Sequence, residues 1–142
     1  MTAYLDASFL VSLCTVDINS PVAARIMEDS KGIRIVSTLA ELEALNALKL
    51  RVFRKEITVA QADLSAQAFE KDLREGVFRL QPLTEQTFER ARQLSRQNTA
   101  RLGTRTADSL HVAAALTIGA DYLYTFDQQQ RKLARTVGLK LS

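Results

Sequence analysis

Short apolar runs alternate with helix-period segments along the whole chain. Thr2, Ala3, Tyr4 and Leu5 form a first run, which meets Asp6 and passes into Ser8, Phe9, Leu10 and Val11, a helix-like stretch. Ser20 before Pro21 predicts an N-cap with proline at the first helical position, opening a short helix through Met27. After Gly32, Ile33 to Val36 read as a second strand. Thr38 with Glu41 predicts a capping box for a helix to about Phe53, with Leu42, Leu45 and Leu48 on its apolar stripe. Thr58 caps the next helix, which carries Val59, Ala62, Ala66 and Phe69 and stops at Gly76. Val77 to Leu80 make a third strand. Pro82 and Thr84 introduce a helix with Phe88, Ala91 and Leu94 on one face, ending near Asn98. Beyond Gly103, Thr104 or Thr106 caps a helix through Leu110, Ala113, Ala114 and Leu116 to Gly119. Tyr122 to Phe126 form a fourth strand, Leu133 and Ala134 sit in a last helix, and Leu139 to Leu141 make a short fifth strand after Gly138.

Strands separated by helix-length segments pair in parallel through right-handed crossovers. The expectation is an α/β fold, a three-layer α/β/α sandwich around a parallel sheet of about five strands. At 142 residues the chain is expected to form one domain over residues 1–142, with no linker, repeat or low-complexity segment. Hydrophobic residues at 46% and charged residues at 25% exclude disorder. No apolar run has the length of a membrane span, and Met1 to Asp6 lacks the order of a signal peptide, so a cytoplasmic protein with no membrane partner is expected. Cys14, the only cysteine, excludes an intrachain disulfide and a thiolate zinc cluster, and reads as a small core residue.

The five glycines stand singly at element ends, so no phosphate loop of the dinucleotide or P-loop type exists. No nucleophile elbow occurs. The single histidine, His111, lies mid-helix three residues after Asp108. It reads as a packed residue with one satisfied hydrogen bond, although both side chains can face one site. The net charge of +3 and pI near 9.2 discriminate little. Clusters at Lys49, Arg51, Arg54 and Lys55, at Arg90, Arg92 and Arg96, and at Arg101 and Arg105 can track a phosphate backbone or simply solvate helices.

Carboxylate chemistry remains. Asp6 and Asp127 each follow a strand at its carboxyl end, where open α/β sheets bind ligands. Glu43 and Asp108 lie in the opening turns of helices directed at the same edge. Carboxylates about 4 Å apart repel by roughly 1 kcal/mol in water and about 4 kcal/mol at an effective dielectric of 20. A cation must hold such a group together, and hard oxygen ligands select Mg²⁺ or Mn²⁺. Taken singly, each acid reads as structural, because Asp6, Asp108 and Asp127 suit helix starts and Glu43 a helix surface.

Four strings taken together are more specific. Tyr4-Leu5-Asp6-Ala7-Ser8, Glu43-Ala44-Leu45-Asn46-Ala47-Leu48, Thr106 to Ala115 and Gly119 to Asp127 resemble those of PIN-domain proteins, specifically VapC-type ribonuclease toxins, in the same order and spacing. The resemblance implies a parallel sheet in the order 3-2-1-4-5 and a Mg²⁺- or Mn²⁺-dependent endoribonuclease. It also implies a homodimer, a cognate VapB-type antitoxin, and contact with operator DNA only through that antitoxin. The catalytic and metal-holding acids it implies are Asp6, Glu43, Asp108 and Asp127, with the hydroxyls of Ser8 and Thr125 supporting the metal site. The substrate is RNA, single-stranded loops being the expected target. Arg105 and Arg51 are the side chains expected to position phosphates rather than read bases. Two other readings use the same chain: a subunit of a DNA-bound regulatory complex without catalysis, and a receiver-like phosphoacceptor domain. The second lacks the adjacent acidic pair it needs around Asp6.

Overall fold

The first strand, β1 (Thr2–Leu5), runs through the centre of the sheet. A computed structural model describes residues 1–142 and shows five parallel strands in the order β3-β2-β1-β4-β5. The others are β2 (Ile33–Ser37), β3 (Arg79–Gln81), β4 (Tyr122–Tyr124) and β5 (Lys140–Leu141). Leu5 lies beside Val36 on one side and Tyr124 on the other. The residues that follow these three strands therefore emerge along one edge, the carboxyl edge of the sheet.

Alternation along β1 sends Ala3 and Leu5 to one face and Tyr4 to the other. On the first face pack α1 (Ala7–Cys14), α2 (Ser20–Asp29), α3 (Thr38–Phe53) and α4 (Val59–Arg74), whose Phe9, Leu10, Ala44, Leu48 and Phe69 join Leu5 and Val36 in one core. On the second pack α5 (Glu85–Leu94), α7 (Thr106–Thr117) and α8 (Gln128–Thr136), contributing Leu94, Val112, Ala113 and Leu133 to a core around Tyr4, Ile35 and Leu123. Covering both faces is why the central strands read as unbroken apolar runs. Each fully buried leucine of these cores contributes about 1.5–3 kcal/mol by leaving water. No helix is long and apolar enough to cross a membrane.

Several local expectations shift. The cap of α3 is Ser37, whose Oγ accepts from the Ala40 N–H at 3.0 Å, and Thr38 is the first helical residue, so Glu41 has no capping-box partner. Leu42 is 65% exposed; the buried stripe of α3 is Ala40, Ala44 and Leu48. Before α2 the cap position is Asn19, and the Ser20 hydroxyl instead accepts from Asp17 N–H and donates to Thr15 O, each at 2.8 Å. Val77 and Phe78 precede β3 rather than belonging to it. Gly32 has φ +121°, and a Cβ there would stand 2.2 Å from Met1 O, which accepts from Ile33 N–H.

The fifth helix does not end near Asn98. It passes through a π-helical turn, Ser95–Thr99, into α6 (Ala100–Leu102). Buried Asn98 donates its side-chain amide to Leu94 O at 3.1 Å, and the Thr99 and Thr104 hydroxyls meet at 2.9 Å. Gly103, at φ +70°, ends α6 in the left-handed conformation.

Candidate active site

Asp6 is the most enclosed of the four acids, 1% exposed at the junction of β1 and α1. It caps α1: Oδ1 accepts from Phe9 N–H at 3.0 Å and from the Ser8 hydroxyl at 2.7 Å. Oδ2 accepts from the Thr125 hydroxyl at 2.6 Å. Burial pushes its carboxyl above the usual range, and His111 together with the Thr125, Phe9 and Ser8 hydrogen bonds offsets only part of that.

Pairing of β1 with β4 brings the second acid beside it. Asp6 N–H donates to Tyr124 O, and the two residues after Tyr124 are tied to the same network. Thr125 Oγ1 accepts from Asp127 N–H at 3.0 Å, and Ser8 Oγ accepts from Phe126 N–H at 2.9 Å. Asp127 caps α8 through Oδ1, which takes the N–H groups of Gln129 and Gln130 at 2.8 and 3.1 Å.

Asp108 enters from α7. The cap position of that helix is Arg105, not Thr104 or Thr106, and Asp108 Oδ2 reaches back to the Arg105 N–H at 2.8 Å. The Arg105 side chain, 78% exposed, spans two acids: its Nε lies 3.9 Å from Asp108 Oδ2 and its Nη2 lies 3.7 Å from Asp127 Oδ2. Glu43 comes from α3, six residues after Ser37, and its Oε1 is hydrogen-bonded to His111 Nε2.

The four acids are thus linked in pairs along one edge: Asp6 with Asp127 through Thr125, Asp108 with Asp127 through Arg105, and Glu43 to α7 through His111. No three carboxylate, imidazole or thiol groups converge on one point at ligand distance. Arg51 is not brought to this edge. It lies eight residues beyond Glu43, about 12 Å along the same helix, and its guanidinium pairs with Asp17 Oδ2 at 3.1 Å. Cys14 is partly buried, with its thiol pushed up to about 12 by burial, and it takes no part.

His111 does more than the packed residue expected. It is 1% exposed, with Tyr4 on Nδ1 at 2.7 Å and Glu43 on Nε2, so it makes two hydrogen bonds rather than one. The three-residue spacing from Asp108 indicated a shared face. Tyr4 and Ser37, which complete the chain, carried no such indication, because one lies in an apolar run and the other ends a strand.

Comparison with known proteins agrees with the fold. The PIN domain family model matches residues 3–136. The crystal structure of Mycobacterium tuberculosis VapC20, described as a sarcin-ricin loop cleaving toxin, is similar to this chain with a TM-score of 0.72 at 20% identity. The match covers 92% of this chain and 93% of that one. No curated protein matches the chain.

Proposed function

Because the chain belongs to the PIN-domain family, we propose that it is a divalent-metal-dependent endoribonuclease of the VapC toxin type, acting as one domain over residues 1–142. The observation that carries the reading is Asp6: a carboxylate 1% exposed, gripped by three hydrogen bonds and still raised by burial, on an edge with three more acids. Such a group favours a nearby cation over solvent.

The donor set fits Mg²⁺ or Mn²⁺ in kind, being all oxygen, with Asp108 Oδ1 and Glu43 Oε2 accepting no protein hydrogen bond. Asp6, Asp108 and Asp127 would hold the ion, with Glu43 completing the site. When bound, the ion supplies Lewis acidity that eases ionisation of water and stabilises charge on a leaving oxygen. The chain's own groups do the rest. Glu43 orients water and takes its proton as the new phosphorus–oxygen bond forms and the bond to the leaving ribose oxygen breaks, that oxygen taking a proton from solvent. Ser8 and Thr125 keep the Asp6 carboxylate in one orientation. Arg105, exposed beside Asp108 and Asp127, meets a substrate phosphate and fixes position without reading sequence; Arg51, engaged by Asp17, is not part of this reading. The VapC20 description as a sarcin-ricin loop cleaving toxin supports a structured RNA loop as the target class.

The chain also exposes apolar surface away from the four acids. A groove of about 390 Å³ is lined by Leu13, Val16, Ile57 and Leu64, and Val16, Ile18 and Phe53 are 92%, 91% and 82% exposed. Exposed apolar surface of this kind suits the amphipathic helix of a VapB-type antitoxin. In this reading the protein is cytoplasmic and homodimeric, and it meets operator DNA through that antitoxin.

The test is cleavage of total cellular RNA by the wild type and by Asp6→Asn, each with EDTA, Mg²⁺ or Mn²⁺. Discrete fragments requiring both the metal and Asp6 are expected. Identical patterns from the two proteins would defeat the reading.

A further inference from the structure

One line of buried hydrogen bonds crosses the second core and ends on a site acid. Ala40 N–H donates to Ser37 Oγ at 3.0 Å; Ser37 Oγ and Tyr4 Oη are 2.7 Å apart; Tyr4 Oη and His111 Nδ1 are 2.7 Å apart; His111 Nε2 meets Glu43 Oε1. Ser37, Tyr4 and His111 are 2%, 1% and 1% exposed, so the Ser37–Tyr4–His111 bonds are closed to water, while the Glu43 end is 35% exposed.

Counting protons fixes every direction. Ser37 Oγ already accepts from Ala40, and its own hydroxyl proton has only Tyr4 Oη to meet. A buried donor left unmade is costly, so Ser37 donates to Tyr4. The phenol proton of Tyr4 then goes to His111 Nδ1. With Nδ1 accepting, the ring proton stands on Nε2 and is aimed at Glu43. A reversed chain, with Nδ1 donating to Tyr4 and Tyr4 to Ser37, leaves the Ser37 proton without an acceptor.

We propose that His111 is a positioning residue for Glu43: its Nε2–H tautomer, set from behind by Tyr4 and Ser37, holds the Glu43 carboxylate in one orientation at the acidic edge. The proposal rests on the nuclease reading above. Glu43 projects from a helix with a side chain 35% exposed and would otherwise sample several rotamers. The bond to Oε1 removes that freedom in advance and leaves Oε2 as the oxygen free to work on water. The same α7 carries Asp108 one turn earlier, so one rigid helix sets a site acid and the support of another.

The chain has one histidine, so nitrogen NMR of the imidazole reports His111 without assignment. In the metal-free wild type the expected spectrum is a ring protonated at Nε2 and bare at Nδ1, and Tyr4→Phe should convert it to a tautomer mixture. An Nδ1–H ring or a doubly protonated ring in the wild type overturns the proposal. Kinetics use a synthetic RNA spanning the cut mapped with wild-type protein and Mn²⁺. His111→Ala is expected to lower kcat about 10–100-fold with KM little changed. His111→Gln, whose amide nitrogen reaches the Nε2 position, should recover most of the loss, whereas His111→Asn, which reaches only the Nδ1 position, should not. Equal loss in all three variants with matched Tm values overturns the proposal. Wild-type protein that cuts no RNA defeats the nuclease reading instead, and the NMR arm still decides the His111 geometry.

Discussion

Thr125 donates its hydroxyl to Asp6 Oδ2 at 2.6 Å across the β1–β4 pair, and its own Oγ1 accepts the Asp127 N–H at 3.0 Å. One hydroxyl therefore aligns an acid from the first strand with an acid from the fourth.

Removing that hydroxyl separates positioning from ligation. Thr125→Ala should lower cleavage about 10–100-fold and cost about 1–3 kcal/mol of stability, because Asp6 loses a buried partner. Thr125→Ser keeps the donor and should stay near wild type. Rates on a mapped substrate with urea melts measure both effects; equal activity in Thr125→Ala would show that Asp6 needs no such support.

Asp6 itself should oppose stability when no metal is present. Its folded carboxyl titrates above the unfolded value, chiefly from burial. The folded state thus binds the proton more tightly, and its contribution to stability is full below the unfolded pKa and lost as pH rises through the folded one. Asp6→Asn should abolish cleavage yet raise the Tm of the EDTA-treated protein at pH 7. Mn²⁺ should raise the Tm of the wild type and leave that of Asp6→Asn unchanged. Calorimetry with and without the ion reads all of this.

The Asp17–Arg51 pair has the opposite sign. Burial alone would raise Asp17, but Arg51, the Asn19 N–H and the Ser12 hydroxyl hold its carboxyl below the usual range. The stability it gives is fully present above the unfolded pKa and is lost as pH falls through the folded value. Asp17→Asn should cost about 1–3 kcal/mol at pH 7, with the gap to wild type closing toward pH 3 in a denaturation series. Cleavage rates at pH 7 should be unaffected.

Arg105 should affect binding rather than folding. Its side chain is 78% exposed, so Arg105→Ala should change stability by no more than about 0.5 kcal/mol. KM should rise several-fold, and the dependence of binding on salt should weaken by about one phosphate contact. A salt titration of affinity for a catalytically silent Asp6→Asn background checks it.

The strands and the acidic edge were legible because both leave direct marks. Apolar runs fully covered on two faces stand out, and an acid at the end of each of two runs, Asp6 and Asp127, marks the carboxyl edge of the sheet. Strand order was carried by the family resemblance, since periodicity says nothing about which strand lies beside which. Boundaries were less legible. Ser37 and Thr38 are both good caps, and the pairing of Ser37 with Gln81 in the sheet and its bond to Tyr4 favour the first. Arg51 looked free because its partner, Asp17, is 34 residues away in a loop. His111 looked ordinary because its two partners lie on other elements.

The π-helical turn at Ser95–Thr99 gives the α5–α6 helix one residue more than a regular α-helix would need to cover the same path. In a helix a residue is also a rotation, of about 100°. Deleting one residue here would improve helical regularity and still swing Thr99 off Thr104, the bond that anchors the loop leading to Asp108. The segment is thus a phase adjuster, and its length, together with the Thr99 hydroxyl, sets where the loop to Asp108 is anchored.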